Sequence, residues 1–478
     1  MKHYLMFDLG TGNSRVALVD SNGKILGLRS YFNTYYRDNS YEDAQYFMPG
    51  EWEEMLLGGC DELIAEFPGV EINGISAAAA RQSFVLIDSE GECFLGLPNI
   101  DNRGREYVGA IGNKQEIYRL SGKWVTEDFG AAKLLGLKMK YFEQYARISK
   151  ITSLSEWIGF IFTGAVSMEY SMASESQLYD LTKKDWSKDI CDWYGIDHDI
   201  LPELLPAGAK LGTIKDEFRK RFHMSDDAAF IIGGADTQIG IKQTDIEVGD
   251  VAIVSGTTSP VVTLKDDFFY DEEQRVWTEA NLGGDTFQIE MNPGVTGMNY
   301  QRMKAQFCDD VSYEELEKHY AELTEVACTA SFSSLLFYKQ RGLRNGGFFM
   351  RSPLQTNVTR YELMYAVLAD IACATYEQLR RLIEISGNDP EYILGCGGGF
   401  QSEMLCRMTA SLASRPLKLK DGFSQATVQG LVSICNDTFG VTSEQQCGYT
   451  VIEPERDNLI FKYYPVWSEN RNRANDCD

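Results

Sequence analysis

The chain has 478 residues, 44% of them hydrophobic and 24% charged, a globular composition that excludes disordered and fibrous classes. Forty-five basic against 70 acidic side chains leave a net charge of −25, which argues against nucleic-acid and anionic-membrane partners, since both want a basic surface. At roughly 100–200 residues per domain, the length suits two large domains or three small ones.

The N-terminus runs Tyr4-Leu5-Met6-Phe7-Asp8, then Gly10-Thr11-Gly12-Asn13, then Arg15 to Asp20. Asp8 interrupts the apolar run before a signal peptide could form. Two β-rich runs around a Gly/Thr/Asn cluster predict a hairpin, and Asp20-Ser21-Asn22-Gly23 predicts a second turn before a strand from Lys24 to Arg29. The cluster nearly matches the dinucleotide fingerprint, but Arg15 stands at the last glycine and a strand follows, so the Rossmann reading fails. No GxxxxGK P-loop occurs. A hairpin tip with exposed amides and the polar groups of Thr11, Asn13 and Ser14 can hold phosphate; the alternative is an ordinary hairpin with glycines at positive φ.

Ile75 to Ala80 forms a strand-like run of small residues that delivers Arg81-Gln82. Trp157 to Val166 is the most lipid-like stretch, far short of the roughly 20 apolar residues a span requires. Phe230-Ile231-Ile232-Gly233-Gly234-Ala235-Asp236 reads as a buried strand that ends in two glycines and presents a carboxylate. Active-site groups sit there in open α/β sheets. Asp236 can serve as a general base toward a hydroxyl, or alternatively as a helix N-cap.

The opening unit recurs in mid-chain: Asp250 to Val254, then Ser255-Gly256-Thr257-Thr258-Ser259, then Pro260 to Leu264. This predicts two domains of related fold, with the boundary around Asp245 to Gly249. Ser312-Tyr313-Glu314-Glu315 is a capping-box signature ahead of a charged helix, and apolar positions between Arg360 and Leu382 predict a long buried helix. Tyr392-Ile393-Leu394 runs into four glycines within residues 395–399, ahead of a helix with Met404, Leu405, Met408 and Leu412 on one face. Such a cluster lets a flat or anionic ligand approach the backbone, or simply lets strand and helix pack closely.

Eleven scattered cysteines, from Cys60 to Cys477 without a CxxC pair, predict reduced thiols in a cytoplasmic protein. Four histidines, none paired at ligand spacing, speak against zinc sites and histidine-based triads. The last stretch, from Ser468 through Asn470, Arg471, Asn472 and Arg473, is expected to be a solvated end.

Two phosphate-type hairpins, an acidic residue between them and a late glycine cluster together resemble the sugar kinase/Hsp70/actin superfamily, and within it the FGGY carbohydrate kinases. The resemblance runs from about Leu5 to Gly440. It takes in Ser155-Glu156-Trp157, Tyr179 to Thr182 with Trp186, and the small-residue helix start Ala426-Thr427-Val428-Gln429-Gly430. It implies an α/β chain of two ribonuclease H-like domains, residues 1–245 and 246–460, flanking a nucleotide and sugar cleft, with 461–478 as a tail. By this resemblance Asp8 helps hold a magnesium–phosphate, Thr11, Gly12, Asn13 and Arg15 lie toward the γ-phosphate, and Gly256 and Thr257 grip from the second hairpin. Gly398 and Gly399 lie on the nucleoside side, Asp236 is the catalytic aspartate, and Thr237 stands beside it. Arg81, Gln82, Asp101 and Arg103 match the sugar contacts, the last two within Asn99-Ile100-Asp101-Asn102-Arg103, where Asn99 replaces the family's tryptophan. Without the resemblance, Asp101 and Arg103 read as a solvated loop pair.

Among subfamilies the chain looks most like the autoinducer-2 kinases, on the run Arg81 to Asp88, Glu90-Gly91, Pro98 to Arg103 and Gly294 to Met298, with pentulose kinases next. The implied activity is ATP- and Mg²⁺-dependent phosphorylation of a small sugar or polyol, with a homodimer compatible. The alternative is an ATP-driven, non-kinase member of the Hsp70/actin kind.

Overall fold

A computed structural model describes residues 1–39, 43–334, 343, 345–356, 358–442 and 448–476. It is built on two sheets. In the first, the strands run in the order Lys210–Leu211, Met224–Ala235, Ile72–Ala79, His3–Leu9, Asn13–Asp20, Ile25–Phe32. The last three pair antiparallel as a meander, whereas Ile72–Ala79 lies parallel to both His3–Leu9 and Met224–Ala235. Ile72–Ala79 is buried along its whole length, as expected of a parallel strand with both faces covered. Ile25–Phe32 closes the edge and is half exposed.

The second sheet runs Trp277–Ala280, Phe287–Met291, Val261–Lys265, Val251–Val254, Ile393–Cys396, Leu417–Lys420, Tyr449–Ile452. Val251–Val254, Val261–Lys265 and Phe287–Met291 form an antiparallel meander. Ile393–Cys396 and Leu417–Lys420 add parallel on the other side. In each sheet three antiparallel strands are extended on the other side by two parallel ones, with Trp277–Ala280 added in the second sheet outside Phe287–Met291, and the weak mid-chain repeat is a duplicated ribonuclease H-like topology. Residues 243–250 connect helix Asp236–Lys242 to strand Val251–Val254.

The 27-residue helix Arg360–Ser386 contributes more to the second core than any other described element and ends on Gly387 in the left-handed region, where glycine avoids a Cβ clash. Helix Ala426–Phe439 leaves the second lobe and covers the first sheet: Val428, Leu431, Val432 and Cys435 pack with Tyr4, Met6, Ala17 and Ala78, and Tyr4 donates a 2.8 Å bond to Asn436. Gly430 is required there, because a Cβ would stand 2.1 Å from the Ile239 carbonyl of helix Asp236–Lys242.

The expected solvated end is corrected. Ile460–Asp476 is a helix that buries Tyr463, Trp467 and Arg471. Trp467 donates to Asp370 at 2.7 Å and Arg471 to Ser331 at 2.9 Å. The nine cysteines among the described residues are unpaired, eight of them buried; Cys447 and Cys477 lie outside the described residues. Among the described residues no helix is long and apolar enough to cross a membrane.

Candidate active site

Strand register assembles the site. Leu9, Ala79 and Ala235 are neighbours at the carboxyl ends of three adjacent parallel strands, so Asp8, Arg81 and Asp236 emerge at one edge of the sheet, where open α/β sheets bind ligands. Asp8 lies near enough to Asp236 to feel its charge. Burial, together with Asp236, pushes the Asp8 carboxyl up to about 6 against the pull of Arg15, whose guanidinium stands 3.7 Å away. Asp236 is also raised, by burial first and by Glu290, with Arg81 opposing.

Asp236 opens its helix and Ala235 occupies the N-cap position without a side-chain bond. The carboxylate takes 2.7 Å and 3.3 Å bonds from the Thr237 amide and hydroxyl. The two glycines ahead of it are there for space: a Cβ on Gly233 would meet the Ala77 carbonyl at 1.9 Å, and one on Gly234 would meet Glu169 Oε2 at 2.8 Å. Ser171 Oγ donates to Glu169 and accepts from Ala235 N at 3.1 Å, which ties the strand end to a buried carboxyl.

The first hairpin tip is held from outside. Asn33 donates to the Gly10 and Thr11 carbonyls at 2.7 and 3.2 Å, Tyr35 donates to the Thr11 carbonyl at 2.7 Å, and Asn99 donates to the Thr11 hydroxyl at 2.8 Å. Gly12 faces open space.

The second hairpin meets the glycine cluster because Val254 and Cys396 are register partners in parallel strands. Gly399 N donates to Ser255 O at 2.9 Å. A Cβ on Gly397 would stand 2.4 Å from Ser255 O, and one on Gly399 would stand 2.1 Å from Ser255 Oγ. Gly256, Thr257 and Gly398 are exposed. The helix that begins at Asp236 packs on both Val251–Val254 and Ile393–Cys396, the strands that carry the glycine-lined hairpin and the glycine cluster.

Arg81 reaches across the lobes. Its Nη1 bonds Glu279 at 3.1 and 3.2 Å and Glu290 at 2.7 Å, its Nη2 bonds Glu290 at 3.0 Å, and Glu175 lies 3.7 Å away. Gln82 takes φ +65°, an uncommon conformation for a non-glycine residue, and donates to Glu175 at 3.0 Å. Fully buried Lys123 stands 3.2 Å from Glu175 and 3.4 Å from Glu279.

Asp101 and Arg103 are not a solvated pair. They are 0% and 2% exposed, 2.7 Å apart, and both bind the Gln45 backbone. They brace the loop that carries Asn99. Buried Lys133 joins this loop to Gln82 by bonds to the Asn99 and Gln82 carbonyls at 2.9 and 3.0 Å, and burial lowers its ammonium to about 8. Lys123, Lys133, Glu175, Glu279 and Glu290 were missed in the sequence. The one signal available for Glu290 was the alternation of Gln288 and Glu290 with Phe287, Ile289 and Met291.

Residues 3–241 match the N-terminal domain, and residues 251–436 the C-terminal domain, of the FGGY family of carbohydrate kinases. The chain belongs to that family. It is 35% identical over 472 residues, 98% of this chain and 97% of the relative, to "Putative sugar kinase YoaC" of Bacillus subtilis (strain 168). It is 23% identical over 434 residues, 86% of this chain and 81% of the relative, to the autoinducer-2 kinase of Salmonella choleraesuis (strain SC-B67). Its fold is similar to a solved ligand-bound xylulose kinase from Lactobacillus acidophilus, with TM-score 0.84, 19% identity and coverage of 99% and 98% of the two chains.

Proposed function

We propose that the chain transfers the γ-phosphoryl group of ATP to a hydroxyl of a small carbohydrate or polyol, an autoinducer-2-like compound or a ketopentose such as xylulose or ribulose. The observation that carries this reading is the convergence of Asp8, Arg81 and Asp236 at one sheet edge, with the exposed residues Gly256, Thr257 and Gly398 on the second lobe. The named relatives support it.

Phosphoryl transfer depends mainly on positioning and charge neutralisation. The acceptor oxygen attacks the γ-phosphorus, the bond from that phosphorus to the β,γ-bridging oxygen breaks, and ADP leaves. The acceptor's proton passes to Asp236. Burial and Glu290 raise the affinity of Asp236 for that proton, which suits a general base. Thr11, Gly12 and Asn13 on one lobe and Gly256 and Thr257 on the other face the phosphates, with the Gly256 amide itself held by the Thr258 carbonyl at 2.9 Å. Gly398 and Gly399 lie toward the nucleoside, Thr237 holds the base, and Arg81 and Gln82 shape the acceptor side. Asp101 and Arg103 act through the loop they brace.

Among the described residues no group of three or more His, Cys, Asp or Glu side chains is placed to hold a metal. Asp8 nonetheless suits Mg²⁺, which commonly takes one or two carboxylates plus phosphate oxygens and water. Bound there, it would neutralise phosphate charge.

The test is ADP release with ATP and Mg²⁺, with and without a panel of ketopentoses, polyols and autoinducer-2 precursors. A kinase needs the acceptor. Release that is equally fast without one supports the Hsp70/actin alternative and overturns this reading.

A further inference from the structure

We infer, on the phosphotransfer reading above, that Lys133 is a positioning residue. Its buried ammonium clamps the Gln82 and Asn99 carbonyls, and through Asn99 it fixes the acceptor side against the Thr11 hairpin, so that the acceptor hydroxyl rather than water lies in line with the γ-phosphoryl group.

Segments far apart in the chain meet at this side chain. Lys133 Nζ donates to Gln82 O at 3.0 Å and to Asn99 O at 2.9 Å, and Asn99 Nδ2 donates to Thr11 Oγ1 at 2.8 Å. A path of three hydrogen bonds therefore runs from the residue after Arg81 to the phosphate-side hairpin. Gln82 has φ +65°, a conformation that persists only where its surroundings impose it; the bond from Lys133 and the Nε2 bond to Glu175 at 3.0 Å hold it there. The helix that carries Lys133, Gly130–Lys140, is a firm base for the clamp. A Cβ on Gly136 would stand 2.4 Å from the Arg103 carbonyl, and one on Gly104 would stand 2.1 Å from the Ala132 carbonyl, so helix and loop meet backbone to backbone.

Packing alone does not call for a cation here. Lys133 is 0% exposed, in a run with buried Ala131, Ala132, Leu134 and Leu135. Both of its hydrogen bonds go to carbonyls. Asp101, whose charge it feels, has its two oxygens engaged by Arg103 and the Gln45 amide. A buried cation without its own carboxylate is costly, and an apolar residue of similar length would fill the site without that cost. What the ammonium adds is a donor for each carbonyl.

The experiment measures ADP and phosphorylated acceptor side by side, on the full chain with ATP and Mg²⁺, using whichever of xylulose, ribulose and the pentitols raises ADP release most. The parent chain is expected to form about one phosphorylated acceptor per ADP, since a closed site excludes water. Lys133→Met is expected to raise the acceptor KM by about tenfold or more. Its yield should fall to about one acceptor per two ADP or lower, as water attacks the γ-phosphorus and gives ADP and inorganic phosphate. Asn33 and Tyr35 also hold the Thr11 hairpin, so the ATP KM should stay within about threefold. Asn99→Ala keeps the carbonyl but deletes the bond to Thr11; it is expected to lower the yield too, and the double variant to match Lys133→Met within about twofold, because both act through one path. A residue that merely holds up the fold lowers the folded fraction, and with it the apparent kcat, but moves neither acceptor KM nor yield. Lys133→Met with the parent's acceptor KM and yield overturns the inference. Should that variant not fold, Asn99→Ala with the parent's yield overturns it. If no acceptor raises ADP release in the parent chain, the phosphotransfer reading falls, and the inference with it.

Discussion

Asp236→Asn removes one negative charge from the proposed active site and leaves its shape in place. The bonds that Asp236 Oδ1 takes from the Thr237 amide and hydroxyl, at 2.7 and 3.3 Å, can be kept by an amide oxygen. The bonds from Arg81 Nη1 and Nη2 go to Glu279 and Glu290, so the exchange breaks none of them. Burial raises the Asp236 carboxyl. Its ionised form therefore disfavours the folded state, and that cost grows as pH rises from the unfolded value through the folded one. Asparagine removes the cost, so the variant's melting temperature at pH 7.5 is expected to equal or exceed that of the parent chain. Turnover should fall by about 10²–10⁴-fold, the usual worth of a general base, or about 3–5 kcal/mol in barrier height. The hairpins proposed to face the phosphates are untouched, so the KM for ATP should change by no more than about threefold, a small effect on the scale of one hydrogen bond. A coupled ADP assay at saturating acceptor, together with thermal unfolding, measures all three quantities. A kcat within tenfold of the parent, in a variant that melts normally, would refute the assignment of the base.

Two further outcomes concern stability. Buried Glu169 is raised to about 8, first by burial and then by neighbouring Glu156, against bonds from Ser171 and from Gly283 N. A raised folded value favours the fold below about pH 4.5, and this contribution is lost as pH climbs toward 8. Urea unfolding between pH 5 and 9 should therefore show Glu169→Gln losing less stability with rising pH than the parent, by on the order of a few kcal/mol; parallel profiles would contradict it. Trp467→Ala empties a site that is 2% exposed and removes a 2.7 Å bond to buried Asp370. It should cost about 3–5 kcal/mol, and an unchanged melting temperature would show that the C-terminal helix does not depend on this docking.

Much of the architecture is local and could be read along the chain. Both glycine-tipped meanders, the carboxylate after Gly233-Gly234 and the glycine run at 395–399 announce themselves through alternation and turn chemistry, which act over a few residues. The last helix was misread because its polar residues, Asn470, Arg471 and Arg473, look like those of a free end. Only the fold supplies Thr329 and Ser331 as partners for two of them. The surroundings of Asp101 and Arg103 were not legible either: a charged pair in a loop has the same sequence whether water or the Gln45 backbone surrounds it.

By itself, the order of residues determined the duplicated β-turn units and the position of Asp236, because backbone preference and hydrophobic alternation are properties of neighbouring residues. Tertiary structure alone decided what Arg81 meets, since Glu279 and Glu290 lie 198 and 209 residues further along the chain, and that helix Ala426–Phe439 returns to cover the first sheet. The physical reason is that pairing and burial of charge depend on which surfaces the crossing strands bring face to face, and a carboxylate in an alternating strand carries no mark of the cation it will find there.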